Sequence, residues 1–198
     1  MRKLTLPLAL LFVLVVANSC VNPFNKSKDI DLKDVNFTSV KVDSNYVLSI
    51  PDFMTATKEL NDEASLQYMD AKSEAYVIVI DEPKEDFINA FVSTGQYNDS
   101  LSIVDNYSQI QLSLIKEKMT ESMVHNQKPL KINGLDAVQV EFTGKIADVT
   151  FEIAYHITFI ESSKNMYMIM SWTLKDYEQK FKPLYEKMAA SFRLLSVE

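Results

Sequence analysis

The C-terminal half of the chain alternates apolar and polar residues over three long segments, and no other feature of the sequence constrains the fold as strongly. The three segments are Leu135–Thr143, Val149–Ile160 and Met166–Leu174. A period of two places successive side chains on opposite faces of a β-strand. Asn133-Gly134, which favours a tight hairpin turn, precedes the first segment. Gly144-Lys145 and residues 161–165 supply the other two turns. We therefore predict an antiparallel meander of three strands.

Shorter strand patterns precede the meander. Phe37–Val42 and Tyr46–Ile50 alternate on either side of Asp43-Ser44-Asn45, a triplet that suits a hairpin turn. Leu66–Met69 and Ala75–Ile80 also have strand patterns. The second of these is apolar at every position, which predicts a central strand covered on both faces.

Helical patterns occur in three places. Pro83 is suited to the first helical position, and Glu85 and Asp86 would complement the positive end of the helix dipole. Apolar residues at helical spacing predict a longer helix over Ser100–Val124. A final helix is predicted to begin near Pro183.

The N-terminus is typical of an exported protein. Arg2 and Lys3 precede an apolar run over residues 4–16, which is shorter than the roughly 20 residues of a membrane-spanning helix. Val16-Ala17-Asn18-Ser19-Cys20 resembles a bacterial lipobox, in which the cysteine is lipidated after cleavage before it. The alternative is an ordinary signal peptide with a cysteine placed there by chance. Cys20 is the single cysteine of the chain, so it cannot form an internal disulfide.

These patterns predict three regions. Residues 1–19 are the signal peptide, residues 20–36 form a lipidated flexible tether, and residues 37–198 form one domain. Cleavage would remove Arg2 and Lys3 but no acidic residue, which changes the formal net charge from −7 to −9. So acidic a domain lacks the basic surface that nucleic acids require. No acidic run follows Cys20, and we therefore expect a lipid-anchored envelope protein that faces the periplasm.

The order of these elements resembles the PsbP-like and DcrB-like α/β/α sandwich lipoproteins. The segments that carry the resemblance are Tyr46–Pro51, Ile132–Ala137, Tyr155, Met166-Tyr167 and Ala190–Phe192. The resemblance covers residues 37–195 and implies an α+β fold, with an antiparallel sheet and helices on both faces. The family is mostly non-enzymatic, so the resemblance implies a fold and supplies no catalytic residue.

The candidates for chemistry are weak. Ser113 and Lys116 match an S-x-x-K pattern, but the partner motifs S-D-N and K-T-G are absent. Glu121 and His125 would share one face of the predicted long helix and could hold a metal between them, but a solvated polar pair is the simpler interpretation. The other histidine, His156, lies in the second strand of the meander beside Ala154 and Thr158, so we expect a half-buried ring with its hydrogen bonds satisfied.

Other catalytic patterns fail for similar reasons. The three glycines form neither a nucleophile elbow nor a phosphate-binding loop. Asp81-Glu82 and Glu85-Asp86 are placed where a helix start favours acidic residues. With two histidines and no further cysteine, a zinc site would depend on carboxylates. We therefore predict no catalytic residue, no cofactor and no metal.

The last strand offers one candidate surface. Met166, Met168, Met170 and Trp172 share a face, and methionine adapts to irregular partners. The simpler interpretation is a core face between sheet and helix, and the alternative is an apolar binding face.

The resulting hypothesis is a non-enzymatic envelope lipoprotein that binds a protein partner or a small ligand. One alternative is an envelope hydrolase with an unrecognised carboxylate site, which would require acidic side chains of raised pKa in a cleft. The other alternative is a structural or stress-related envelope protein.

Overall fold

Ten strands and three helices make up the part of the chain that the computed structural model describes, residues 34–147 and 149–195. The strands are β1 (Phe37–Val42), β2 (Tyr46–Pro51), β3 (Thr55–Ala56), β4 (Leu66–Asp70), β5 (Ala75–Pro83), β6 (Met119–Ile132), β7 (Leu135–Ile146), β8 (Ile153–Glu161), β9 (Asn165–Leu174) and β10 (Arg193–Leu194). The helices are α1 (Lys84–Ser93), α2 (Ile103–Lys116) and α3 (Glu178–Ala190), and a short 3₁₀ helix over Lys175–Tyr177 precedes α3. The predicted signal peptide, Cys20 and most of the predicted tether lie outside the described residues.

The strands form two antiparallel sheets. The larger has the order β3-β4-β5-β9-β8-β7-β6, and the smaller has the order β1-β2-β10. Strands β6 to β9 are consecutive neighbours, so the meander has four strands instead of the predicted three. The apolar strand β5 is central, as its sequence predicts, between β4 and β9.

Each face of the large sheet is covered by helices. On one face, Phe87 of α1 and Tyr107 of α2 pack in a core with Val140, Ile157 and other inward residues. On the other face, Phe181 and Met188 of α3 pack with Val79, and β2 of the small sheet contributes to the same core. The predicted α+β sandwich, with an antiparallel sheet and helices on both faces, is therefore confirmed.

The longest predicted helix is wrong in its second half. Helix α2 ends at Lys116, and residues from Met119 onward form β6, which pairs with β7 along its whole length. The spacing of Leu114 and Met119 continues a helical pattern, but pairing with β7 stabilises the strand instead. Tertiary contacts of this kind override a weak local preference.

The turns and helix starts differ from the prediction in detail. No turn forms at Gly144-Lys145, because β7 runs on to Ile146, and β8 begins at Ile153 instead of Val149. Asp81 and Glu82 lie near the end of β5, before α1 begins, and not in the first turn of that helix. Pro183 lies inside α3, which begins five residues earlier at Glu178. Within the described residues, none of the helices is long and apolar enough to cross a membrane.

Candidate functional site

The sheet face beneath α3 changes from apolar to polar along its strands. At one end the face carries Ala137, Ile160 and Tyr167, which belong to the apolar core. Towards the other end the inward side chains are polar, and all of them are buried: Gln139, Glu141 and Thr143 on β7, His156 and Thr158 on β8, and Ser171 and Thr173 on β9. Glu141 lies opposite His156, which lies opposite Ser171, so the three form a row across adjacent strands.

Glu141 is held as a carboxylate by two donors. Lys182 of α3 donates to its Oε2 at 2.7 Å, and Asn126 of β6 donates to its Oε1 at 3.3 Å. Burial by itself would raise the pKa of Glu141, but the hydrogen bonds from Lys182 and Asn126 outweigh it and hold the pKa below its ordinary value. The charge of Lys182 is stabilised in turn, and its pKa is raised by the hydrogen bond to Glu141.

His156 is buried next to this ion pair and is only 5% exposed. Its Nε2 atom has no hydrogen-bond partner among the described residues. Burial lowers the pKa of His156 to about 4, although the neighbouring Glu141 carboxylate acts in the opposite direction. The ring is therefore neutral near pH 7 and keeps a nitrogen lone pair available.

A small cavity lies between the polar row and α3. Its volume is about 10 Å³, and its walls include Glu141, His156, Thr173, Lys182 and Tyr185. That volume is close to the minimum for one water molecule, whereas sites for organic ligands are roughly 300–1,000 Å³. The cavity can hold a single small species.

A second acidic group approaches the same place from α3. One ligand atom each of Glu141, His156 and Glu186 lie within 4.8 Å of one another. Glu186 is one helical turn beyond Lys182, and both side chains are partly exposed. The arrangement therefore combines a neutral imidazole, two carboxylates and one competing ammonium group.

Sequence reasoning misplaced the two histidines in different ways. Glu121 and His125 do not share a helix face: both are exposed on β6, where Glu121 pairs with Lys145 at 2.8 Å. A bulge lies between Val124 and Asn126, and His125 Nε2 contacts Thr143 Oγ1 at 2.9 Å. His156 was expected to be half-buried and satisfied, but it is buried with an unpartnered nitrogen. The neglected signal is Glu141, a charged residue at an inward position of a strand that is covered on both faces.

The other predicted polar candidates lie elsewhere. Ser113 is exposed on α2, and Lys116 is at the last residue of that helix. Asp81 accepts a hydrogen bond from Asn45 at 3.0 Å, and Glu82 accepts one from Gln111 at 3.1 Å. Burial raises the pKa of Glu82. That carboxyl group packs against α2 and does not line the cavity beneath α3, where the carboxylate of Glu141 has a lowered pKa.

The predicted binding face on β9 is core. Met166, Met168 and Met170 are fully buried, and Trp172 is 7% exposed. All four pack among residues of α1, α2 and the sheet, and Trp172 also stacks on Tyr76 with ring centroids 5.3 Å apart. The alternation correctly predicts a shared face, and the helices that cover it leave no open groove there.

Exposed apolar side chains instead gather at one end of the large sheet. Met123, Phe151 and Tyr177 are three of the four large apolar side chains that are exposed in the described residues. Met123 pairs with Thr143 near the end of β7, Phe151 lies two residues before β8, and Tyr177 follows β9 by three residues. The fourth, Val92, lies on α1. We refer to Met123, Phe151 and Tyr177 as the apolar end.

No protein-family model matches the sequence, and no curated protein matches it either. Solved structures do match. CyanoP, the PsbP protein of Synechocystis sp. PCC 6803, has a TM-score of 0.54 at 12% identity, covering 84% of this chain and 95% of that one. The Ran-binding protein Mog1p of Saccharomyces cerevisiae has a TM-score of 0.56 at 9% identity, covering 82% of this chain and 97% of that one.

A third similar structure is LpqN of Mycobacterium tuberculosis, which is described as involved in cell envelope biogenesis. It has a TM-score of 0.51 at 10% identity, covering 80% of this chain and 90% of that one. The three similarities extend over most of both chains in every case. This chain therefore has the PsbP/Mog1-like fold.

Proposed function

We propose that this protein is a non-enzymatic lipoprotein of the bacterial envelope, anchored through Cys20 on the periplasmic side, that binds a protein partner. The observation that carries the proposal is the apolar end. Single exposed apolar residues are ordinary on a protein surface, whereas clustered ones mark interaction sites. Here β6, the segment before β8 and the 3₁₀ helix place such residues at the same end of the large sheet, although they are far apart in sequence.

Two ion pairs adjoin residues of the apolar end along the chain. Glu121 and Lys145 form an exposed ion pair of 2.8 Å on β6 and β7. Lys175 pairs with Glu178 at the start of α3. An apolar centre with a polar rim is the usual composition of a protein interface, and this supports a protein partner.

The cavity beneath α3 does not suit an organic ligand. Its volume of about 10 Å³ is too small for any organic molecule. The structural neighbours agree with a binding role, since Mog1p is named as a Ran-binding protein and LpqN as involved in envelope biogenesis. The carboxylate in the cavity is held in an ion pair with Lys182, which does not favour the hydrolase alternative.

Site-specific photo-crosslinking in the native envelope tests this proposal. A photoreactive amino acid is placed at position 123, 151 or 177 of the full chain, and at position 92 on α1 as the matched control. We expect the same crosslinked species from the three positions of the apolar end and none from position 92. Phe151→Ser should abolish the crosslink formed from position 177, whereas Val92→Ser should not.

Two results would overturn the proposal. Crosslinks of equal strength from position 92 would show non-specific contact, and no crosslink from any of the three positions would show that the apolar end is free in the envelope. Far-UV circular dichroism of each variant confirms that the fold is intact.

A further inference from the structure

Three side chains that could ligate a metal, two carboxylates and one imidazole, come together beneath α3 from three elements. Glu141 lies on β7, His156 on β8 and Glu186 on α3, and one ligand atom of each lies within 4.8 Å of the others. An acidic cluster alone would not indicate a site. His156 adds an independent observation, because it is 5% exposed and lines the cavity, and its Nε2 atom has no partner among the described residues.

We propose that Glu141, His156 and Glu186 form a binding site for one divalent transition-metal cation, with Zn²⁺ as the best fit. Imidazole nitrogen selects zinc and its neighbours in the first transition row over magnesium and calcium. One nitrogen and two carboxylate oxygens make three protein ligands, which leaves a fourth tetrahedral position for water. A cavity the size of one water molecule adjoins them. The proposal is independent of the apolar end and goes beyond partner binding.

The geometry requires a small closure. Zinc bonds of about 2.0–2.2 Å place tetrahedral ligand atoms roughly 3.3–3.6 Å apart, so the ligand atoms must approach one another by at most about 1.5 Å. Glu141 and His156 are fixed on paired strands of the sheet. Glu186 is partly exposed on the helix surface, and rotation of its side chain supplies the movement.

Lys182 occupies the position of the competing cation. Its Nζ atom lies 2.7 Å from Glu141 Oε2, and its side chain is 33% exposed. Since an ammonium group and a metal dication would repel each other across one carboxylate, metal binding displaces Lys182 towards solvent. Removing the charge of Lys182 should therefore increase the affinity for the metal.

Isothermal titration of the full chain in detergent with Zn²⁺ alone tests the site, and Co²⁺ absorption reports its coordination geometry. We expect one ion per chain and a tetrahedral Co²⁺ spectrum. His156→Gln and Glu186→Gln should each weaken binding at least tenfold, and Lys182→Met should tighten it severalfold. His125→Gln, which changes the other histidine, and Cys20→Ala, which removes the single cysteine, are the matched controls and should leave the affinity unchanged.

Two results would contradict the metal site. The proposal is wrong if the wild-type chain binds no Zn²⁺, or if His125→Gln weakens binding as much as His156→Gln does. Because His156 is buried, its variant could unfold; Glu186→Gln changes a partly exposed helix residue and gives the same answer in a folded protein. Loss of metal binding with unchanged crosslinks from the apolar end would separate this site from the proposed partner surface.

Discussion

Gly144 determines how closely the edge strand β6 approaches β7. A side chain at this position would point towards the α1 and α2 face of the sheet, where Met119 packs on the core. A Cβ atom on Gly144 would collide with Met119 Sδ and would lie 3.1 Å from the Glu121 carbonyl oxygen. The glycine therefore makes room for the methionine, and its role is close packing within a strand, not a turn.

We predict that Gly144→Ala destabilises the fold by about 1–3 kcal/mol, the usual range for overpacking. The free energy of unfolding from urea denaturation measures this loss. Ser122→Ala is the matched control, because Ser122 pairs with Gly144 but is exposed, and it should change stability little. A Gly144→Ala variant as stable as the wild type would show that β6 moves away without cost.

His156 makes stability depend on pH. The folded protein resists protonation of the ring until about pH 4, whereas an unfolded chain takes up that proton near pH 6.5. Between these values the unfolded state binds more protons, so the free energy of unfolding falls as the pH falls. The charged groups around the ring are Glu141 on β7, Lys128 on β6, and Lys182 and Glu186 on α3, and the Tyr185 ring of α3 also faces it.

We predict a loss of up to about 3 kcal/mol between neutral pH and pH 4, most of it below pH 6. Urea denaturation at several pH values, with a chelator present, measures it. His156→Gln should flatten the dependence over this interval, and His125→Gln should retain it because that ring is exposed. A steep dependence that survives in His156→Gln would assign it to other groups.

Single residues also show where sequence reasoning reaches its limit. The alternation of β7 and β8 places Glu141 and His156 on inward positions, and both assignments can be made from the sequence. Their juxtaposition depends on the register between the two strands. That register depends on where the connection between β7 and β8 begins. The predicted turn at Gly144-Lys145 is wrong, because β7 extends through these residues.

At the scale of elements, the hairpin between β6 and β7 ties the sheet to the C-terminal helix. Asn133 and Gly134 both have positive φ, 48° and 90°, as a type I′ turn requires. Asn133 Nδ2 also donates to the carbonyl oxygen of Phe192 at 2.6 Å, just beyond α3. The turn therefore fixes both a strand pairing and the end of a helix.

We predict that Asn133→Ala costs about 1–2 kcal/mol, because alanine is disfavoured at positive φ and loses the bond to Phe192. Thermal unfolding followed by circular dichroism measures the change. Ser44→Ala, in the exposed turn between β1 and β2, is the matched control and should be neutral. A neutral Asn133→Ala would show that Gly134 alone maintains the turn.

The same hairpin explains the one large error in element prediction. A type I′ turn needs a strand on each side, so Asn133-Gly134 implies a strand that ends at Ile132 as well as one that begins at Leu135. The apolar spacing of the preceding segment instead favoured a long helix. Most side chains of β6 are exposed because this strand is at the sheet edge, so buried and exposed residues alternate little along it. Only the pairing with β7 defines this strand.

At the scale of the whole molecule, the two faces of the large sheet differ in composition. The face towards α1 and α2 is apolar along its length, including the methionines of β9. The face towards α3 is apolar at one end and polar at the other. Element order and alternation were sufficient to predict the sandwich. The polar half of one face depends on which strands are neighbours and how far α3 extends over them, which no local pattern reports.

The predicted tether and its lipid would anchor the whole molecule to a membrane. If Cys20 carries acyl chains, each buried CH₂ adds about 0.8 kcal/mol of membrane affinity, and more than one chain gives stable anchoring. The domain has two hydrophobic cores, and Val35 is the first of the described residues that packs against either of them. Folding and anchoring should therefore be separable.

We predict that Cys20→Ala moves the full-length protein from the membrane fraction to the soluble fraction of the envelope, with an unchanged circular dichroism spectrum and melting temperature. Fractionation with metabolic labelling by a fatty-acid analogue measures both location and lipidation. Asn22→Ala, which alters the tether but keeps the cysteine, should remain labelled and membrane-bound. If the unlabelled Cys20→Ala protein stayed in the membrane fraction, contacts of the folded domain would have to supply the anchoring, and the apolar end would be the first surface to test.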